Sequence, residues 1–208
     1  MFITFEGPDG SGKSSVIKAI NELLNKDGYN VIFTREPGGT PIAEKIRNII
    51  LDNENTALDP RTEALLYAAS RRQHLVEKIW PALKEGKIVI CDRYLDSSLA
   101  YQGGARHLGV ENVLNINLFA TENTLPDLTI FFDVSPEVGL ARVSKDKKRI
   151  ADRLDNESPT FHKDVYETFL KVVDMYPERF VKIDASKPLE EVIATTYKII
   201  KEKLGGLR

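Results

Sequence analysis

The chain has 208 residues and a mass of 23.4 kDa, a length that suits one domain. Its 42% hydrophobic and 29% charged residues exclude a disordered or collagenous chain, and 29 basic against 31 acidic residues argue against a dedicated nucleic-acid binder. The lone cysteine, Cys91, has no internal disulfide partner, the N-terminus lacks a basic leader, and no apolar run approaches the ~20 residues that span a bilayer. A cytoplasmic protein is expected, with neither a membrane nor a nucleic acid as partner.

In chain order, Phe2–Glu6 reads as an apolar strand, followed by a glycine-rich loop and a helical stripe of Val16, Ile17, Ile20, Leu23 and Leu24. Residues 30–34 form a second strand. Leu65, Leu66, Ala69, Leu75, Val76 and Ile79 fall at helical spacing between about 60 and 84, ahead of a stop at Gly86. Strands follow at 88–91, Leu128–Asp133 and 181–183. Ser135-Pro136-Glu137 and Ser186-Lys187-Pro188 carry the cap-then-proline signature of helix starts, and the Lys-rich tail from 198 to 208 ends the last helix. The strands are continuously apolar, as in a parallel sheet covered on both faces, and their alternation with helices predicts a doubly wound α/β fold. No repeat or linker divides the chain, so residues 1–208 are expected to form a single domain. The basic, apolar-poor stretch 144–153 reads as a mobile insertion within it.

Gly7-Pro8-Asp9-Gly10-Ser11-Gly12-Lys13-Ser14 matches G-x-x-x-x-G-K-S and lies between a strand and a helix, the context that makes this pattern a phosphate loop. Glycines let successive backbone N–H groups turn toward phosphate oxygens, and the following helix adds its positive end. Lys13 is expected to reach the β and γ phosphates and Ser14 to ligate Mg²⁺. Asp92 ends an apolar strand where such proteins place a metal-organising acid, and Arg93 beside it suits charge on a phosphoryl group in flight. A GTPase would show D-x-x-G here, yet residue 95 is Leu, and Asn25-Lys26-Asp27-Gly28 has the wrong spacing for N-K-x-D. Cys91 reads as packing.

Three blocks then narrow the reading: Phe5 to Ser14; Arg35-Glu36-Pro37-Gly38-Gly39-Thr40; and Asp92-Arg93-Tyr94-Leu95-Asp96-Ser97-Ser98-Leu99-Ala100-Tyr101-Gln102. In this order they resemble bacterial thymidylate kinases over effectively the whole chain. The resemblance implies a nucleoside-monophosphate-kinase-like three-layer sandwich with a five-stranded parallel sheet. It also implies transfer of the γ-phosphate of ATP to dTMP with Mg²⁺ as cofactor, and a homodimer. By the same resemblance, Asp9 accepts a bond from the sugar 3′-hydroxyl, Arg35 and Arg47 face the acceptor phosphate, and Tyr67 stacks on thymine. Arg71 and Gln102 contact the thymine edge, and Tyr101 crowds the sugar 2′ position. Arg93 bridges donor and acceptor phosphates with Asp92 near Mg²⁺, while Glu36 and Ser98 belong to the dTMP side. A planar guanidinium forks onto phosphate and carbonyl oxygens, and an aromatic face takes a base, so the residue types suit these roles.

The loop itself lacks an arginine, which resembles family members that carry basic residues in a lid. The lid is expected at about 142–155. Arg142 is grouped there with ATP, and Arg149 or Arg153 would close onto the transferred phosphate and exclude water. His74, His107 and His162 are given no catalytic role. The rival readings are another nucleoside or nucleotide kinase and a non-catalytic nucleotide-sensing module.

Overall fold

The computed structural model describes residues 1–145 and 151–205. Strands β1 (Phe2–Glu6), β2 (Val31–Arg35), β3 (Ile88–Asp92), β4 (Leu128–Asp133) and β5 (Phe180–Asp184) form one parallel sheet in the order β2-β3-β1-β4-β5. The helices are α1 (Lys13–Lys26), α2 (Pro41–Leu51), α3 (Pro60–His74), α4 (Trp80–Lys84), α5 (Leu95–Ser98), α6 (Val110–Thr121), α7 (Pro136–Lys145), α8 (Pro159–Met175) and α9 (Leu189–Gly205). A π-helical stretch, Leu75–Ile79, joins α3 to α4, and a second, Leu99–Ala105, continues α5. The expected fold class is the one observed.

The strands are largely apolar because each feeds two cores; the edge strands β2 and β5 are less buried, and Arg35 and Lys182 on them are exposed. On one face Phe2, Val89, Cys91 and Phe131 pack with Leu75, Leu99, Val113 and Phe169 from the α3-to-α8 side. On the other, Ile3, Phe5, Ile90, Ile130 and Phe132 pack with Val16, Ile20 and Leu24 of α1 and with Val192 and Ile200 of α9. Cys91 is thus a core residue, as expected. Helix starts are locally encoded: Asp59 accepts from Thr62 N before Pro60, and Ser158 accepts from Phe161 N before Pro159. Among the described residues, no helix is long and apolar enough to cross a membrane.

The third helix departs from its apolar stripe. Leu65 is 56% and Val76 44% exposed, whereas the buried side of α3 carries Glu63, Tyr67, Ser70, Arg71 and His74. Glu63, Ser70, Arg71 and His74 are buried because polar groups of other elements bond them, an arrangement that hydrophobic periodicity does not register. Parallel registry aligns Arg35 with Asp92 and Asp92 with Phe5, so β1, β2 and β3 end side by side. Ligands of open α/β sheets bind at such carboxyl ends.

Candidate active site

The cleft at these strand ends has a volume of about 640 Å³. Its floor is the phosphate loop, which leaves β1 at Glu6 and enters α1 at Lys13. Gly10 and Gly12 have φ of 73° and 87°, left-handed backbone that a side chain disfavours. A Cβ on Gly10 would collide with the backbone of Gly139 in α7, and one on Gly139 would collide with the carbonyl of Asp9. Gly139 lies outside every motif, and its contact is visible only once α7 is folded against the loop.

Lys13 is buried, its Nζ donating to Gly7 O at 2.8 Å, Pro8 O at 3.0 Å and Ser11 Oγ at 3.0 Å. Burial, reinforced by the charge of Arg93, pulls its pKa down to about 8. Ser14 is exposed on the first turn of α1 and lines the cleft, as does Asp92. Oδ1 of Asp92 is buried with no hydrogen-bond partner. A buried carboxylate oxygen opposite a hydroxyl on a phosphate-binding loop is a donor set suited to Mg²⁺, a hard cation that takes oxygen ligands.

Asp9 organises the middle of the cleft. Its Oδ1 receives Arg93 Nη2 at 2.9 Å and its Oδ2 receives the Tyr101 hydroxyl at 2.7 Å. The Arg93 guanidinium also donates to Gly7 O and Ser97 Oγ, both at 3.1 Å, and lies 5.1 Å from the centre of the Tyr101 ring. One arginine is thereby tied to the phosphate loop and to the segment after β3. Glu6, beneath it, is wholly buried and accepts from Tyr94 N at 2.7 Å and Ser97 Oγ at 2.6 Å. Burial, aided by the charge of Asp96, lifts its pKa to about 8.

The far wall holds the other expected residues. Arg35 Nη1 and Arg47 Nη1 both donate to Pro37 O at 2.9 Å, and Arg35 also bonds Glu44. Burial and the neighbouring charge of Arg35 lower the pKa of Arg47. Arg71 is 1% exposed, donating through Nε to Glu36 Oε2 at 2.6 Å and through Nη1 to Ser98 Oγ at 3.1 Å and to Asn117 Oδ1. Glu36 Oε1 is 2.9 Å from His74 Nδ1, whose Nε2 lies 2.6 Å from Thr34 Oγ1. His74 thus links the Glu36 carboxylate to Thr34 of β2. Arg72, by contrast, is a surface side chain paired with Glu122. Tyr67 and Gln102 complete the cavity wall, and Gln102 donates to Glu63 Oε1 at 2.9 Å.

The expected lid residues separate. Arg142 lines the cleft, donating to Ala185 O at 2.9 Å and to Gly10 O at 3.4 Å. Arg153 does not line it: its guanidinium bonds Ile50 O at 2.9 Å and Glu63 Oε2. A partly buried arginine is drawn to the nearest buried carboxylate, and here that is Glu63 rather than anything at the phosphate loop. Arg149 lies outside the described residues, as do Lys147 and Lys148. Sequence reasoning missed Glu63, Asn117, Asp152 and Asp155. It also missed a second cavity of about 240 Å³ beside the loop, lined by Gly12, Arg142, Lys187, Leu189 and Val192 among others. Glu63, Asn117 and Asp152 belong to no spaced motif, and the second cavity joins the loop's Gly12 to residues of α7 and α9 far along the chain.

A phosphate loop on the central strand of a five-stranded parallel sheet, facing an arginine-rich wall across one cleft, defines a P-loop nucleotide kinase. Residues 5–195 match the family model described as thymidylate kinase. The chain is 56% identical to the thymidylate kinase of Halalkalibacterium halodurans, covering 98% of this chain and 97% of that one. It is 55% identical to the thymidylate kinase of Bacillus velezensis (98% and 96% covered) and 53% identical to that of Enterococcus faecalis (98% and 96%). The chain belongs to the thymidylate kinase family.

Proposed function

We propose that this protein transfers the γ-phosphate of ATP to dTMP, giving dTDP and ADP, within a single kinase domain. The observation that carries this reading is that one cleft joins the phosphate loop to the wall of Tyr67, Arg71, Ser98, Tyr101 and Gln102. Arg93 lies between the phosphate loop and that wall, so two phosphate-bearing molecules in this cleft would bring their phosphates together beside it. The loop N–H groups and Lys13 hold the ATP phosphates. The cavity flanked by Arg142, Lys187 and Leu189 is partly apolar, and it takes the purine. On the other side, the aromatic face of Tyr67 covers thymine, Arg71 and Gln102 read its edge, and Tyr101 and Asp9 hold the sugar. Arg35 and Arg47 turn toward the acceptor phosphate, with Glu36 fixing Arg71.

An oxygen of the dTMP phosphate attacks the γ-phosphorus, and the bond to the oxygen bridging β and γ breaks, with ADP leaving. The nucleophile is already anionic, so no side chain need be a base. Arg93, clamped by Asp9, neutralises charge between the two phosphates, and Lys13 does so on the leaving side. Ser14 and Asp92 would hold Mg²⁺, which neutralises charge on the ATP phosphates when bound. Arg153 braces the side wall through Glu63.

The protein acts in the cytoplasm as a homodimer. Ile42 and Ile49 of α2, Leu65 of α3 and Phe119 of α6 are exposed on three helices packed side by side, and a second copy would cover them. A panel of acceptors tests the substrate: dTMP should exceed dUMP, dCMP and thymidine in kcat/KM. Inert dTMP beside another active acceptor would overturn the assignment.

A further inference from the structure

Glu63, which no motif singles out, is the hub of a buried polar cluster on the dTMP side of the cleft. Its side chain is 1% exposed and receives four donated bonds. Gln102 Nε2 reaches Oε1 at 2.9 Å and Arg106 Nε reaches the same oxygen at 3.3 Å; Arg106 Nη2, at 3.3 Å, and Arg153 Nη2 bond Oε2. Burial alone would raise its pKa. The bonds from Gln102 and Arg153 and the charge of Arg106 outweigh burial and leave the group below its ordinary value. Glu63 is thus ionised at neutral pH, and an ionised carboxylate only accepts.

That fact fixes the neighbouring amide. The two ends of a glutamine head are the same size, so shape does not choose between them. Facing Glu63, only the NH₂ end forms a bond; a flip would set the Gln102 carbonyl against a carboxylate oxygen. The opposite end, Oε1 of Gln102, is buried and has no hydrogen-bond partner, and the residue lines the cleft beside Tyr67 and Arg71. It is 1% exposed and sits in the π-helical stretch that follows α5, where an added residue per turn re-aims side chains.

We propose that Glu63 is a positioning residue for base selection: it locks the Gln102 amide so that this side chain meets the incoming base with its acceptor end alone. The inference rests on the reading that the base of dTMP lies against Tyr67, Arg71 and Gln102. A thymine attached through N1 offers one ring donor, N3–H, flanked by two carbonyl oxygens. Oε1 of Gln102 pairs only with that N–H, while Arg71 supplies donors for a carbonyl. A cytosine ring carries a lone pair at N3, which would face Oε1, leave a buried acceptor unpaired and be rejected. Discrimination between the two pyrimidines at N3 therefore originates one layer behind the contact, in a carboxylate that never touches the base.

The test compares dTMP with 5-methyl-dCMP, which differs from it only at the C4 substituent and N3. Glu63→Gln keeps the shape of the side chain but can donate as well as accept, which frees Gln102 to flip. In the full-length protein, kcat/KM for dTMP should fall about tenfold, chiefly through KM. Turnover of 5-methyl-dCMP should hold or rise, so that the ratio narrows about tenfold or more, with KM for ATP unchanged. Introduced into a Gln102→Leu background, Glu63→Gln should leave the ratio where Gln102→Leu alone puts it. Equal loss on both acceptors, an unchanged ratio, or a further shift in the double variant would overturn the proposal. Should Glu63→Gln fail to fold, the wild type carries the test. The imino proton of bound dTMP should resonate downfield of its free position in NMR spectra, and no such shift would contradict an acceptor at Gln102. A wild-type protein inactive on dTMP would overturn the substrate reading instead, before any variant is compared.

Discussion

Glu6 shows how far a single buried group can set the behaviour of the site. Its carboxyl lies under Arg93 and Ser97, and burial lifts its pKa from 4.5 to about 8. The raised value has a definite sign. Between about 4.5 and 8 the folded protein keeps a proton that the unfolded chain has released, so this group stabilises fully below the lower value. That contribution is lost as pH rises through the upper one. Glu6→Gln, neutral at every pH, should therefore gain in melting temperature relative to wild type between pH 5 and pH 8. Thermal melts across that range check it, and parallel curves for the two proteins would contradict it. The same residue scale explains what the sequence motifs reveal. Lys13, Asp92, Arg93 and Tyr101 stand in short blocks of characteristic spacing, Arg71 is reached through the family resemblance, and all line the cleft. Glu63 and Asn117 escape notice because their partners lie 39 and 46 residues away. Arg153 matches the resemblance pattern, yet it is bonded to Glu63 because its actual neighbour is set by packing.

At the scale of elements, strands were legible and the faces of helices only partly so. Runs such as Ile88 to Cys91 are apolar at every position because both faces of the sheet are covered, and composition alone signals this. Helix α3 inverts the usual rule: its polar side turns inward to the cleft and Leu65 turns outward, so periodicity selects the wrong face. The contact between α7 and the phosphate loop is equally silent in the sequence, and it yields a test. Gly139→Ala puts a methyl against the carbonyl of Asp9, so the loop must shift. Overpacking of this kind destabilises by about 1–3 kcal/mol. The loop displacement should raise KM for ATP several-fold while KM for dTMP moves less. Steady-state kinetics with each substrate varied in turn would show this, and an unchanged KM for ATP would contradict it.

For the whole molecule, a net charge of −2 hides a cleft in which arginines 35, 47, 71, 93 and 142 converge. At the surface, Phe119 is 89% exposed on α6. In the proposed homodimer a second copy would cover it and its exposed neighbours on α2 and α3. Phe119→Glu should convert a dimer to a monomer in sedimentation-velocity experiments, with the fold intact by circular dichroism; a wild-type monomer would contradict the dimer. The central claim concerns the meeting of two phosphates in one cleft. Its most direct test is ADP release from ATP by the purified protein, measured with and without dTMP. Release should depend on dTMP and be matched mole for mole by dTDP. ADP release that proceeds equally without dTMP would contradict it.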